Sequence, residues 1–273
     1  MHTVMPCLLL VACATHAAFA AEKPLPVVAD TLEGARIVDL THPLNDSTIF
    51  WPTAERFQLE KVADGPTAQG FHYAANNFRS AEHGGTHLDA PVHFAKGGWT
   101  TDQVPLDRLI GRAVVVDVTA ACATDPDYQV RVKDFEAAEK THGVIEEGAI
   151  VLIRTGYSER WPDAQAYLGT AERGASAVPK LHFPGLEPAA AKWLVEQRRV
   201  KAVGIDTASI DRGQSSLFES HRTLSAHNVP VLENLDDLGQ LPARGATVIA
   251  LPAKIEGGSG GPVRAIALVA AAH

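Results

Sequence analysis

Four side chains able to bind a metal or move a proton fall within eleven residues of Glu82-His83-Gly84-Gly85-Thr86-His87-Leu88-Asp89-Ala90-Pro91-Val92-His93-Phe94. His83, His87, Asp89 and His93 all stand at odd positions, so an extended backbone would project them from one side and send Leu88 and Val92 to the other. Gly84, Gly85 and Pro91 argue against a helix here. Full extension would separate His83 from His93 by about 30 Å, too far for one centre, so the chain must bend. Gly84-Gly85 offers a bulge or a positive-φ turn that folds His83 back toward His87, and Pro91 can redirect the chain before His93. Two imidazoles and a carboxylate make a neutral-nitrogen and hard-oxygen ligand set suited to Zn²⁺ or Mn²⁺, with a position left for water. The bland alternative is a glycine-rich surface turn with incidental histidines.

The elements that must position this segment read as α/β. Short β-branched runs at Val114 to Val118, Ile150 to Arg154, Val200 to Ile205, Val229 to Leu232, Thr247 to Leu251 and Val263 to Val269 predict strands. Several are apolar on both faces, as in a sheet covered by helices. Helical patterns run from Val132 to Thr141, stopped by Gly143, and from Glu187 to Arg199, with Pro188 in the first turn. In the second, Ala190, Trp193, Leu194 and Gln197 share a face, and Arg198 and Arg199 complement the dipole.

The 273 residues are 46% hydrophobic and 21% charged, which excludes disordered, collagen-like and coiled-coil chains. Lys and Arg number 24 against 32 Asp and Glu, a net charge of −8 with no basic block, so nucleic acid is not an expected partner. The run from Val4 to Ala20 ends in Ala18-Phe19-Ala20, a small-x-small pattern that predicts a secretory signal over residues 1–20 and one domain over 21–273. The product would be periplasmic or secreted. Leu10-Val11-Ala12-Cys13 offers the alternative of a lipoprotein anchored at Cys13. After cleavage only Cys122 of the three cysteines remains, so neither a disulfide within the chain nor a thiolate metal site is expected. No later stretch approaches the roughly 18 apolar residues that a membrane span needs.

Gly257-Gly258-Ser259-Gly260-Gly261 formally matches the G-x-S-x-G of serine hydrolases. A nucleophile elbow needs a following helix, acid and histidine. Here Pro262 and a strand-like run follow, no acidic residue comes after Ser259, and the only later histidine is His273. The glycines are better explained by close backbone approach.

The pattern His-x-Gly-Thr-His-x-Asp-x-Pro-x-His, complete from His83 to His93, resembles the motif of the metal-dependent cyclase family, which includes kynurenine formamidase and isatin hydrolase. The resemblance extends to Asp39-Leu40-Thr41-His42-Pro43-Leu44, Phe50-Trp51-Pro52, Gly204-Ile205-Asp206-Thr207 and the segment Gly257 to Arg264. It implies a single swivelling β/β/α domain, a central mixed sheet flanked by helices, in a homodimer. It implies His83, His87 and Asp89 as metal ligands, His93 as the acid/base group, and His221 with Glu233, twelve residues apart, as ligands of a second ion. One or two ions, Zn or Mn, are expected. Trp51 matches an aromatic residue that contacts substrate in the formamidases, and could equally be a buried strand-end Trp.

The function so implied is hydrolysis of an aromatic amide C–N bond, of the N-formylkynurenine type, by metal-bound water. His93, with an ordinary imidazole pKa near 6.5, can take a proton from water and return it to the departing nitrogen. The alternatives are opening of a cyclic amide, as in isatin hydrolase, and an exported protein that binds a metal or aromatic solute without turnover. His221 and Glu233 read alone could be surface polar residues.

Overall fold

The computed structural model describes residues 34–270. The expected leader, Cys7 and Cys13 lie outside them. Twelve strands follow in chain order: β1 (Ala35–Asp39), β2 (Gln58–Pro66), β3 (His72–Arg79), β4 (His87–Asp89), β5 (Ile110–Asp117), β6 (Gln129–Val130), β7 (Ile150–Arg154), β8 (Gly185–Leu186), β9 (Ala202–Ile205), β10 (Val231–Glu233), β11 (Arg244–Pro252) and β12 (Gly260–Ala270). The longer helices are α1 (Val132–His142), α2 (Pro188–Arg198) and α3 (Glu219–Ala226).

The sheet is mixed, as the fold class requires. Strands β5, β7, β9 and β10 run parallel, while β11 pairs antiparallel with β5, and β12 with both β11 and β1. Strand β4 then pairs antiparallel with both β10 and β12, so seven strands close into a ring and β1 lies outside it. That closure is absent from any single apolar run. Its register sets Glu233 opposite His87 and Val231 opposite Asp89 on one side of β4, with Gly260 opposite Asp89 on the other.

The both-face burial of the central strands divides their side chains between two clusters. Val114, Val116, Val151 and Ile153 pack with Phe135 of α1 and Ala190, Ala191 and Leu194 of α2. Val115, Ile150 and Leu152 join Leu88, Val248 and Ala265 from other strands of the ring in a cluster with no residue from α1, α2 or α3. Continuous apolar runs are the sequence form of this arrangement. The face of α2 differs from the periodicity reading: Ala190, Ala191, Leu194 and Val195 are buried and Gln197 is exposed. Trp193 is only partly buried, stacking on Phe135 at 5.9 Å and under the Arg198 guanidinium at 4.0 Å. The β2–β3 pair forms a separate ribbon that exposes Leu59, Val62, Tyr73 and Phe78. Among the described residues, no helix is long and apolar enough to cross a membrane.

Candidate metal centre

The histidine segment bends at both places where its sequence allows it. Gly85 takes φ +58°, and Gly84 lies so close to Phe50 that a Cβ there would sit 1.9 Å from the ring. The turn brings His83 Nδ1 to 2.7 Å from Asp89 Oδ1. Beyond β4, a 3₁₀ turn over Pro91–His93 stacks the His93 ring on His83, with centroids 3.9 Å apart. Only His87–Asp89 is strand, so the shared parity of His83 and His93 is not what joins them to the cluster; the two turns do that.

Strand pairing and α3 deliver the remaining groups. Glu233, at the end of β10, places Oε2 3.4 Å from His87 Nε2 and Oε1 3.0 Å from His221 Nε2. His221 sits in the first turn of α3, where the buried Asp211 carboxylate accepts from the amides of Ser220 at 3.1 Å and His221 at 3.0 Å. These are two of the free amides that a helix N-terminus leaves. Phe218, just before α3, has φ +49°, a strained conformation for a bulky residue.

The hydrogen bonds on the far side of two rings show which nitrogen faces the centre with a lone pair. His87 Nδ1 donates to the Gly85 carbonyl at 2.9 Å, leaving Nε2 directed at Asp89 Oδ1, 3.2 Å away. His221 Nδ1 donates to Asp211 Oδ2 at 2.7 Å, leaving Nε2 3.0 Å from Asp89 Oδ2. Imidazole lone pairs thus converge on two buried carboxylates, a set of acceptors that needs positive charge between its members. A cation or protons would supply it. Burial opposes protonation of His87, but Asp89 and Glu233 outweigh it and push its pKa up to about 8. Burial likewise opposes charge on His221, yet its bonds to Asp211, Asp89 and Glu233 raise its pKa well above the ordinary value. Asp89, despite burial, is held well below the usual carboxylate range by His221, His83 and His87. His93 is pushed the other way, to about 4, first by burial and then by the neighbouring imidazoles, with Asp89 opposing.

Two triads of potential ligand atoms emerge, each within 4.8 Å of one another: His83, Asp89 and His93, and His87, Asp89 and Glu233. Asp89 belongs to both. The donor set fits a hard or borderline divalent cation such as Zn²⁺ or Mn²⁺. These groups open into a cavity of about 290 Å³ whose other wall is aromatic: Phe50, Trp51, Phe94 and Phe218. Trp51, half-buried and outside any strand rather than a buried strand-end residue, lines the cavity and packs edge-on against Phe183 at 6.5 Å and Phe218 at 6.3 Å.

Sequence reasoning brought together His83, His87, Asp89, His93, His221, Glu233 and Trp51, all of which line this cavity. It missed Asp211 and Asn234. Asn234 adopts φ +52° and donates to the Gly85 carbonyl at 2.8 Å, the same oxygen that holds His87. Asp211 carried no local signal; an Asn directly after the strand bearing Glu233 was the only hint of a special backbone position.

The sequence model of the Cyclase family, described as "Putative cyclase", matches residues 38–212. The chain belongs to the cyclase family. It is 33% identical over 248 residues to isatin hydrolase of Roseibium aggregatum, covering 85% of this chain and 91% of that protein. It is 30% identical over 234 residues to kynurenine formamidase of Salinibacter ruber, covering 84% and 96%. Among solved structures, isatin hydrolase A from Ralstonia solanacearum superposes with a TM-score of 0.80 at 34% identity, over 91% of this chain and 100% of that one. An isatin hydrolase bound to the product analogue thioisatinate gives 0.80 at 31% identity, over 93% and 100%. These likenesses carry the cyclase-family fold across nearly the whole described chain.

Proposed function

We propose that the protein is a metal-dependent hydrolase that cleaves the C–N bond of an aromatic amide. The observation that carries this reading is the convergence of His87 and His221 lone pairs and the Asp89 and Glu233 carboxylates at the floor of an aromatic-walled cavity. His83, His87 and Asp89 would hold one ion, and His221 and Glu233 beside Asp89 would hold a second, as Zn²⁺ or Mn²⁺. A divalent cation bound there supplies Lewis acidity toward a carbonyl oxygen and acidifies a water.

The chain's own residues do the rest. Phe50, Trp51, Phe94 and Phe218 exclude water from the cavity and stack or edge-pack an aromatic substrate, setting its carbonyl toward the carboxylate floor. His93, stacked on His83 beside that floor and kept neutral by a pKa of about 4 rather than poised at the ordinary 6.5, takes a proton from the attacking water and returns it to the departing nitrogen. Similarity to the isatin hydrolases favours a cyclic amide of the isatin type as substrate. Similarity to kynurenine formamidase supports a second reading, an N-formyl aromatic amine of the N-formylkynurenine type. Export through the segment 1–20 belongs to the same proposal, as does a homodimer, which the exposed Leu59, Tyr73 and Phe78 of the β2–β3 ribbon support.

Incubating the purified, Mn²⁺- or Zn²⁺-loaded protein with isatin and, separately, with N-formylkynurenine tests the reading. Multiple turnovers with either, abolished by chelation and restored by metal, are expected. One-to-one binding with no product from any member of a wider aromatic amide panel would replace the enzyme with a solute-binding protein.

A further inference from the structure

Ser259 takes no part in the hydrolytic scheme and does not line the cavity, yet its hydroxyl is held between two groups of the histidine segment. Ser259 Oγ lies 2.6 Å from Glu82 Oε2 and 2.9 Å from His83 Nε2, and the Ser259 amide donates to the same Glu82 oxygen at 3.0 Å. A hydroxyl has one proton and two lone pairs. The Glu82 carboxylate accepts that proton's hydrogen bond, so Ser259 Oγ presents a lone pair to His83. Nε2 of His83 must then carry the hydrogen, and the free lone pair falls on Nδ1, which faces Asp89 Oδ1 at 2.7 Å.

We propose that Glu82 and Ser259 are a positioning pair that fixes His83 in the Nε2–H tautomer and the ring orientation in which Nδ1 binds a metal ion. The inference rests on the reading of His83 as a ligand. His87 and His221 are held by a carbonyl and a carboxylate, which can only accept. His83 is held by a hydroxyl, which can do either, and Glu82 removes the ambiguity. Without Glu82 the hydroxyl is free to donate to Nε2, which selects the Nδ1–H form and turns a proton toward the centre.

The surrounding backbone is built for this contact. A Cβ at Gly260 would sit 2.5 Å from His83 Cε1 and 2.6 Å from the Leu88 carbonyl oxygen, and one at Gly258 would sit 2.9 Å from Glu82 Oε1. Glycine on both sides lets the chain pass directly against the ring and the carboxylate. The Ser259 carbonyl accepts from the Ala90 amide at 2.8 Å, and Gly260 pairs with Asp89, so Ser259 is tied to the strand that carries the ligands. The glycine-rich motif thus serves the metal centre through a serine that is no nucleophile.

The test measures Zn²⁺ and Mn²⁺ dissociation constants by chelator competition for the wild type, Ser259→Ala, Ser259→Thr, Glu82→Ala, Glu82→Gln and His83→Ala. It also reads the His83 tautomer by ¹⁵N NMR of the Zn²⁺-loaded protein. Ser259→Ala and Glu82→Ala are expected to bind metal about 10- to 100-fold more weakly, the range for groups that orient a ligand. Ser259→Thr keeps the hydroxyl and Glu82→Gln keeps an accepting oxygen, so both should stay close to wild type. A role in loop packing alone would lower melting temperature without this ordering of metal affinities. Wild-type affinity in both alanine variants, with His83→Ala impaired, overturns the positioning pair alone. Wild-type affinity in His83→Ala overturns the ligand reading beneath it. If the alanine variants fail to fold, the NMR spectrum of the wild type decides, and an Nδ1–H His83 overturns the proposal.

Discussion

Replacing Asp211 removes from one buried carboxylate the hydrogen bonds of the Ser220 amide at 3.1 Å, the His221 amide at 3.0 Å and His221 Nδ1 at 2.7 Å, besides a longer one from the Ser215 hydroxyl at 3.5 Å. Burial opposes ionisation of Asp211, but His221 and the two amides outweigh it and hold the carboxyl below its usual range. Loss of a helix-capping acceptor costs about 0.5–2 kcal/mol. Loss of a bond to a charged partner costs about 1.5–3 kcal/mol. Because the bonds share one side chain they do not add in full, and Asp211→Ala should destabilise the metal-free protein by about 2–4 kcal/mol. Asn caps a helix as well as Asp, so Asp211→Asn should lose only about 1–2 kcal/mol, chiefly the charge on the His221 contact. Asp211→Ala should bind metal about 10- to 100-fold more weakly, since the His221 ring is no longer held, and Asp211→Asn, which keeps an accepting oxygen, should lose less. Urea unfolding followed by circular dichroism gives the first quantity and chelator competition the second. An Asp211→Ala protein within about 0.5 kcal/mol of wild type, the ordinary range for surface substitutions, would refute the reasoning.

His93→Ala should lower kcat by about 10²- to 10⁴-fold while metal stays bound, whereas His87→Ala should lose both; equal loss of metal in the two variants would make His93 a ligand. Cys122 is buried and its thiol pushed up to about 12, by burial first and then by Asp206 and Asp125, so iodoacetamide at pH 8 should label it only after unfolding. Because the folded thiol holds its proton above pH 9 where the unfolded one releases it, Cys122 should also make stability fall as pH rises from about 9 toward 12; Cys122→Ala should remove that contribution and leave the one from Tyr128 and Tyr167, whose pKa values are also raised. Gly84→Ala would set a Cβ 1.9 Å from the Phe50 ring, and the displaced ring should cost about 1–3 kcal/mol or more in a urea titration; an unchanged midpoint would show that the turn tolerates a side chain.

What could be read from the sequence is what is encoded locally. Strand β7 matches its β-branched run residue for residue, because both of its faces are buried and nothing polar interrupts it. The histidine segment was legible for a related reason: its ligands and the glycines that bend it lie in one stretch of chain. Ring closure was not legible, since β4 is three residues long and its two partners begin at Val231 and Gly260. The β2–β3 ribbon escaped notice because its apolar side chains are exposed and carry no burial alternation. Asp211, Asn234 and the Glu82–Ser259 pair act on His221, His87 and His83 through the folded chain, and Ser259 stands 176 residues from His83, beyond any periodicity. On α2 the shared face of Ala190, Trp193, Leu194 and Gln197 is only partly the buried one, because Ala191 and Val195 pack inward beside Ala190 and Leu194 while Gln197 points to solvent.

Elemental analysis of the purified protein after loading with Zn²⁺ or Mn²⁺, repeated on His221→Ala and Glu233→Gln, bears most directly on the metal centre. Two equivalents are expected in the wild type, falling to one in each variant while the ion near His83 and His87 remains. One equivalent throughout would move His221 and Glu233 from ligands to groups that hold substrate or water. No bound metal in the wild type, in a preparation that hydrolyses an aromatic amide, would contradict the proposed chemistry at its root.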